Sequence, residues 1–236
     1  MSRIAFRAAM EPDGFSLQHD VVSTEAWLSL EQWMLQSQLE WEDNKSNQHR
    51  PAAQFGFRYN YQKDVVDTSA KTPPIPDIVQ RLLLDPIRND SIIVPDGDTA
   101  VDWNFTQCII NDYQDANTII PWHKDDTAFG NVVLVYTFLD DRPLHLRLLR
   151  AKDSPNSNSD DPDACVDASG TGSDNDNNED FVFFTAHPRH CSRYILRGPA
   201  REVWEHSVPS GKDRRVSFTF RTLRNKDDGI PENRCC

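Results

Sequence analysis

The 236-residue sequence has no long apolar run. Every hydrophobic stretch falls well short of the roughly 20 residues that cross a bilayer, and Met1–Arg7 is mixed in character, unlike an export signal. The expectation is a soluble intracellular protein of the cytoplasm or nucleus, with no membrane partner. Cysteine is scarce: Cys108, Cys165, Cys191, Cys235 and Cys236 are odd in number and contain no Cys-x-x-Cys pair. That speaks against a disulfide framework and for a reducing compartment. The final Cys235-Cys236 lacks the polybasic stretch that accompanies prenylation, so it reads as an unpaired tail. Basic residues are also short, 25 Lys and Arg against 37 Asp and Glu, a formal charge of -12. Nucleic-acid binders that rely on phosphate contacts carry the opposite balance. No internal repeat is present.

The charge deficit is local. Asp153–Asp180 holds eight aspartates and one glutamate with no Lys or Arg, and removing those nine from the 37 acids leaves 28 against 25 bases. Such a segment of Asp, Asn, Ser and Gly has little to bury and is expected to be a disordered insert between two strands. Ser23 or Thr24 caps a helix with Trp27, Leu30, Met34 and Leu35 at helical spacing. A second helix is predicted from Pro76 or Asp77 through Ile78, Val79, Leu82 and Leu83, stopping before Pro86. Between them "QFGFRYNYQ" alternates Phe55, Phe57, Tyr59 and Tyr61 with small or polar residues, the period of a strand with one aromatic face. Strands are then expected at 105–113, 132–138, 144–149, 181–186, 192–196, 202–208 and 215–223. Helices followed by short strands predict a mainly β, α+β chain, a sandwich or jelly roll backed by N-terminal helices.

Chemistry concentrates in two stretches. In "IIPWHKDD", His123 and Asp125 stand two apart, so on an extended segment imidazole and carboxylate converge. Alone this is weak, since seven histidines in an Asp-rich chain give about one chance match. In "REVWEHSVPSGKDRRVSFTFRTL", His206 closes one strand, and Arg215, Ser217, Thr219 and Arg221 share one face of the next, opposite Val216, Phe218 and Phe220. That polar face is either an exposed sheet surface or the lining of a barrel, and in a barrel two guanidiniums need an anion such as a dicarboxylate. Asn111 and Tyr113 also share a face and can both donate to an organic acid. Two imidazoles and a carboxylate suit ferrous iron with open positions for a 2-oxo acid and O₂; zinc uses the same ligands but leaves the paired arginines without a purpose. His187 and His190 in "AHPRHC" read as a turn, and His145 as one face of a strand.

These motifs together resemble the AlkB family of Fe(II)/2-oxoglutarate-dependent dioxygenases. "QCIINDYQDANTIIPWHKDD" is similar to the family's Asn-x-Tyr followed by His-x-Asp, "RGPAREVWEHSVP" to its Gly-x-x-Arg stretch ending in the distal His, and "RVSFTFR" to its closing arginine run. The resemblance implies a double-stranded β-helix over 101–223, with helices and a nucleotide-recognition lid in 1–100, a tail at 224–236, and a single domain throughout. It implies that His123, Asp125 and His206 hold Fe(II), and that Asn111, Tyr113, Arg215, Ser217, Thr219 and Arg221 hold 2-oxoglutarate, with O₂ as the third reactant. Phe57, Tyr59, Tyr61, Trp122, Thr127 and Arg201 are the expected substrate contacts, Arg201 toward a phosphate or toward Asp125. Ser217 replaces an Asn found in many members, Thr127 replaces an acid, and "QDAN" replaces a Pro-Gly turn.

The function so implied is oxidation of N-methylated bases in DNA or RNA, with release of formaldehyde, succinate and CO₂, in DNA repair or RNA modification. An alternative is hydroxylation of a modified wobble uridine in tRNA, which "FGFRYNYQKDVVD" followed by "PIPDIV" resembles. A further alternative is a non-catalytic binding module on the same fold. A monomer is expected.

Overall fold

A computed structural model describes residues 10–43, 50–63, 65–88, 103–150 and 181–224. The expectations for the acidic insert and for the C-terminal tail beyond 224 lie outside those residues.

The first strand, β1 (Phe15–Gln18), precedes helix α1 (Thr24–Gln36). Ser23 caps α1 by accepting a hydrogen bond from the Ala26 amide at 3.2 Å. Trp27, Leu30 and Met34 form its buried stripe, and Trp27 stacks on Phe138 with ring centroids 4.4 Å apart. Leu35 departs from the predicted stripe and is 77% exposed, because it lies one position around the helix from Met34. After β2 (Glu42–Asp43), β3 (Pro51–Asn60) and β4 (Val65–Lys71), a short α2 (Asp77–Val79) passes through a π-helical turn, Gln80–Leu84, into α3 (Asp85–Arg88). The helical path therefore runs past Pro86 instead of stopping before it. The wide turn resets the hydrogen-bond ladder, so the proline enters the first turn of a new segment, where its missing N–H leaves no bond unmade.

The remaining elements are β5 (Gln107–Tyr113), β6 (Ile120–His123), β7 (Phe129–Leu139), β8 (Leu144–Leu149), β9 (Phe181–Ala186), β10 (Ser192–Arg197), α4 (Gly198–Glu202), β11 (Glu205–Val208) and β12 (Arg215–Leu223). Where a strand was expected from residue 202, the chain first makes α4, with Pro199 fixing its opening turn. His187 and His190 fall in the β9–β10 connection, where His190 Nδ1 accepts the Leu139 amide at 3.0 Å.

All strand pairs are antiparallel and fall into two sheets. The larger runs β1-β10-β7-β12-β5-β3-β2, with β4 paired to the far part of β3; the smaller runs β6-β11-β8-β9. This is a jelly roll of the double-stranded β-helix kind. One apolar layer fills the space between the larger sheet and the helices, joining Leu30, Val79, Leu83, Val216, Phe218 and Phe220. The other lies between the two sheets, joining Val133, Val135, Leu144, Leu146, Leu196 and Val208. Each fully buried aliphatic or Phe side chain contributes roughly 1.5–3 kcal/mol. β7, in the middle of the larger sheet, is buried on both faces, which is why "VVLVYTF" lacks alternation.

Two local devices set the cavity between the sheets. Gly56 has φ +78, and a Cβ there would run into the Thr106 carbonyl. Its left-handed backbone and the register shift between Phe57 and Arg58 break the side-chain alternation midway along β3. Phe55 therefore faces the helix-side core while Tyr59 turns into the cavity. The Gln54 amide holds the bend, donating to the Tyr59 carbonyl at 3.0 Å and accepting the Tyr59 amide at 2.7 Å. The expected single aromatic face does not exist. The second device is Arg142, 2% exposed, which pairs with Asp140 at 2.9 Å and donates to the carbonyls of Asp115, Thr118 and Asp213. A Cβ on Gly211 would strike this pair. One guanidinium thus ties the loop before β6 to the start of β12.

Candidate active site

β12 carries the site's polar wall. Its register against β5 places Arg215 beside Tyr113, Ser217 beside Asn111, and Arg221 beside Gln107. Ser217, Thr219 and Arg221 face a cavity of about 680 Å³, while Val216, Phe218 and Phe220 face the core behind. The period of two that separates them follows directly from the extended backbone.

On the opposite wall β6 and β11 are neighbours, and His123 and His206 are direct cross-strand partners with ring centroids 4.2 Å apart. Asp125, two residues beyond His123, places its Oδ2 3.9 Å from His206 Nε2. His123 donates Nδ1–H to the Pro121 carbonyl at 2.9 Å, which fixes the tautomer and leaves Nε2 as a bare acceptor. Burial, reinforced by the like charge of His123, pushes the His206 imidazole down to about 3. Burial likewise lowers His123, against the pull of Asp125. Both rings are therefore neutral donors at physiological pH. Burial alone would raise the Asp125 carboxyl; the charges of Arg221, His206, His123 and Arg201 outweigh it and hold the group well below the usual carboxylate range.

Arg221 meets Asp125 Oδ1 at 2.5 Å, but Asp125 Oδ2 is buried without a hydrogen-bond partner. An orphaned carboxylate oxygen facing two neutral imidazoles fits a divalent cation. Among the described residues no three such side chains are already closed into a metal-ligand shell. The structure shows three converging donors that a metal would draw together.

Behind the deep end of the cavity, beyond the Tyr113 and Tyr194 that line it, stands Arg215, which is not itself among the lining residues. Arg215, 2% exposed, donates from Nε to Thr137 Oγ1 at 2.8 Å, and its guanidinium lies 4.6 Å from the Tyr113 ring centre. Its Nη1 and the Tyr113 hydroxyl are both without hydrogen-bond partners in bonding geometry, although Ser217 and the Arg215 guanidinium itself stand close to that hydroxyl. Tyr194 of β10 faces the same point, and burial pushes its phenol up to about 12. Unpaired buried donors around a buried cation fit a carboxylate.

Of the expected substrate contacts, Tyr59, Tyr61 and Thr127 line the cavity. Tyr59 and Tyr61 meet edge to face, 5.2 Å apart. Phe57, Trp122 and Arg201 do not line it. Phe57 is separated from Tyr59 by the register shift between Phe57 and Arg58 in the β3–β4 pairing. Trp122 points to the outer face of the smaller sheet, opposite His123, where the Arg147 guanidinium lies 4.7 Å from its ring; alternation along β6 requires this. Arg201, only 3% exposed, donates to the Asp126 carbonyl at 2.7 Å, so it braces the segment that carries Asp125 and is closed off from a phosphate. Arg50 and Tyr194 also line the cavity and were missed in the sequence. The signal for Arg50 was its place two residues before Ala52, on the same side of the strand as Ala52 and Gln54.

A jelly roll with a His, Asp, His donor set at one end of its cavity and a buried arginine behind the other is the scaffold of a metal-dependent oxygenase. The sequence model of the 2OG-Fe(II) oxygenase superfamily matches residues 5–221, and the chain belongs to that superfamily. Membership brings the requirement for Fe(II), 2-oxoglutarate and O₂ and makes the protein a dioxygenase. No curated protein sequence matches it. Among solved structures, "The structure of OsALKBH1" is similar at a TM-score of 0.58 and 14% identity, over 90% of this chain and 98% of that one. A prolyl hydroxylase from Trichoplax adhaerens, in complex with a hypoxia inducible factor oxygen degradation domain peptide fragment, is similar at 0.53 and 11%, over 91% and 86%. Both likenesses concern the fold. Among the described residues no helix is long and apolar enough to cross a membrane.

Proposed function

We propose that this dioxygenase oxidises N-methyl groups on the bases of DNA or RNA. The observation that carries the reading is the β3–β4 hairpin, which brings Tyr59 and Tyr61 to the cavity that His123, Asp125 and His206 also line. Aromatic rings over a deep polar pocket suit a base taken out of its stack, since every base presents a π-face. The likeness of the fold to OsALKBH1 supports the same reading.

In this reading His123, Asp125 and His206 hold Fe(II). Arg215, Tyr113, Tyr194 and Ser217 receive the distal carboxylate of 2-oxoglutarate, and Asn111, Thr219 and Arg221 line its path to the metal. Fe(II) with O₂ and 2-oxoglutarate supplies the oxidising equivalent, one oxygen atom entering succinate and the other the methyl group, with loss of CO₂. The N-hydroxymethyl product then expels formaldehyde, and the nitrogen regains a proton. The protein's part is to orient and to exclude water. Arg221 holds Asp125 in place, and the Pro121 carbonyl sets the His123 ring.

The test is product analysis with panels of methylated DNA and RNA oligonucleotides. Formaldehyde release in step with succinate is expected. Turnover of 2-oxoglutarate with no formaldehyde from any oligonucleotide overturns the proposal. A hydroxylated nucleoside retained in tRNA would favour the wobble-uridine alternative.

A further inference from the structure

Arg50 stands just before β3, on the cavity wall, and is 5% exposed. Among the described residues its Nε and Nη1 have no hydrogen-bond partner. Its guanidinium carbon is 5.8 Å from the Tyr113 ring centre, and its charge acts on Tyr61, Tyr113 and His123. It therefore sits between the tyrosine rim, the deep end and one of the metal donors.

A buried guanidinium without a counter-ion is costly, by several kcal/mol per ion. The acids nearby are already engaged. Asp125 pairs with Arg221, and Glu42 pairs with Arg58 at 2.9 Å and accepts from Gln54. The two carboxylates of 2-oxoglutarate match Arg215 at one end and the metal with Arg221 at the other. Arg50 is left over, between Tyr61 and Tyr113 on the cavity wall.

We infer that Arg50 receives an anionic group of the substrate itself, an oxyanion held within the cavity next to the metal donors. This rests on the nucleic-acid reading for its frame. Within that frame the oxyanion is a carboxylate on the base or the phosphate of the presented nucleotide. One strand then supplies both the ring that stacks, Tyr59, and the cation that selects for charge. A neutral nucleoside lacking this group leaves Arg50 buried and unpaired, and such a site rejects it strongly.

The experiment uses the full chain loaded with Fe(II) and 2-oxoglutarate in the absence of O₂. Affinities are measured for cytidine, 5-carboxycytidine, cytidine 5′-monophosphate and inorganic phosphate, in wild type, Arg50→Gln, Arg50→Met and Arg50→Lys. One anionic nucleoside is expected to bind at least about tenfold tighter than cytidine, as a charge-assisted bond implies. That gain should vanish in Arg50→Gln and Arg50→Met and largely return in Arg50→Lys, with 2-oxoglutarate affinity unchanged within about twofold. A gain for the carboxylate assigns the base, and a gain for the monophosphate assigns the backbone. A gain that survives both neutral variants overturns the proposal. So does a large loss of 2-oxoglutarate affinity in them, which would make Arg50 a clamp on the cosubstrate. If no cytidine compound binds but inorganic phosphate does so in an Arg50-dependent way, the anion site stands and the nucleic-acid reading falls. If phosphate also fails, the anion site falls. Circular dichroism identifies any variant that has not folded, and the other neutral variant then decides.

Discussion

Arg221 and Arg215 lie six residues apart on one face of β12, yet they occupy opposite electrostatic situations. Arg221 meets a carboxylate at 2.5 Å, so its charge is neutralised by the protein. Arg215 meets no carboxylate, only a threonine hydroxyl and the neutral phenols of Tyr113 and Tyr194, and keeps an unpaired Nη1. The first serves the architecture of the metal end. The second is held ready for a charge that arrives with a ligand. A buried ion pair is strongly disrupted by removing one partner, whereas a buried cation without a partner can be replaced by an apolar side chain at little cost.

The sharpest break in this comparison is Asp125→Asn. It strips Arg221 of its counter-ion and removes a metal donor, so we expect a loss of about 3–5 kcal/mol of stability in denaturant unfolding and no Fe(II) binding in titration. Retention of stability would mean that Arg221 does not depend on the pair. Arg215→Met should do the opposite, leaving metal-free stability unchanged or raised. The loss of a charge-assisted bond of about 1.5–3 kcal/mol should weaken 2-oxoglutarate roughly ten- to hundredfold in a binding titration. A fall in stability with intact affinity would reverse the roles of the two arginines.

Acid sharpens the contrast further. His206 has its proton affinity depressed to about 3, against 6.5 unperturbed. Between those values the unfolded chain binds a proton that the folded chain refuses, so metal-free protein should lose stability as pH falls from about 6.5. The slope is about 1.4 kcal/mol per pH unit for this residue alone. Thermal unfolding across pH 7 to 4, repeated with His206→Gln, checks it; an identical slope in the variant would remove His206 as the cause. The smallest effect is expected from Tyr194→Phe at the Arg215 end. Losing one neutral hydrogen bond of about 0.5–1.5 kcal/mol raises the KM for 2-oxoglutarate a few-fold and leaves kcat alone.

Much of this contrast was legible before any coordinates. The alternation along Arg215–Leu223 announced both the core face and the polar face, because the strand period admits no other division. His123, Asp125 and His206 were visible from their chemistry and spacing. What escaped was whatever depended on the count of residues across an irregularity. Gly56 and the register shift after Phe57 break the side-chain order, so Phe57 and Tyr59 could not be assigned to faces by parity. Trp122 was expected among the substrate contacts from the resemblance, although its own alternation with His123 sends it outward. Arg201 sits on α4 and not on a strand, and a helix of five residues leaves little periodicity to detect. Arg50 and Tyr194 reach the cavity from the residue ahead of β3 and from β10, and which strands neighbour which is a property of the topology that no local pattern carries.

The Arg142 hub has a consequence for how this enzyme can vary. The segment from Gln114 to Thr118 has Ala116 as its one apolar side chain, yet a single cation grips two of its carbonyls and one just ahead of β12 together. Most of that loop's side chains can therefore vary, because the grip falls on backbone oxygens common to every residue; Asp115 is the exception, since its carboxylate accepts the Asn117 and Thr118 amides. The freedom ends at Arg142 and Gly211, where one substitution would loosen two distant walls at once.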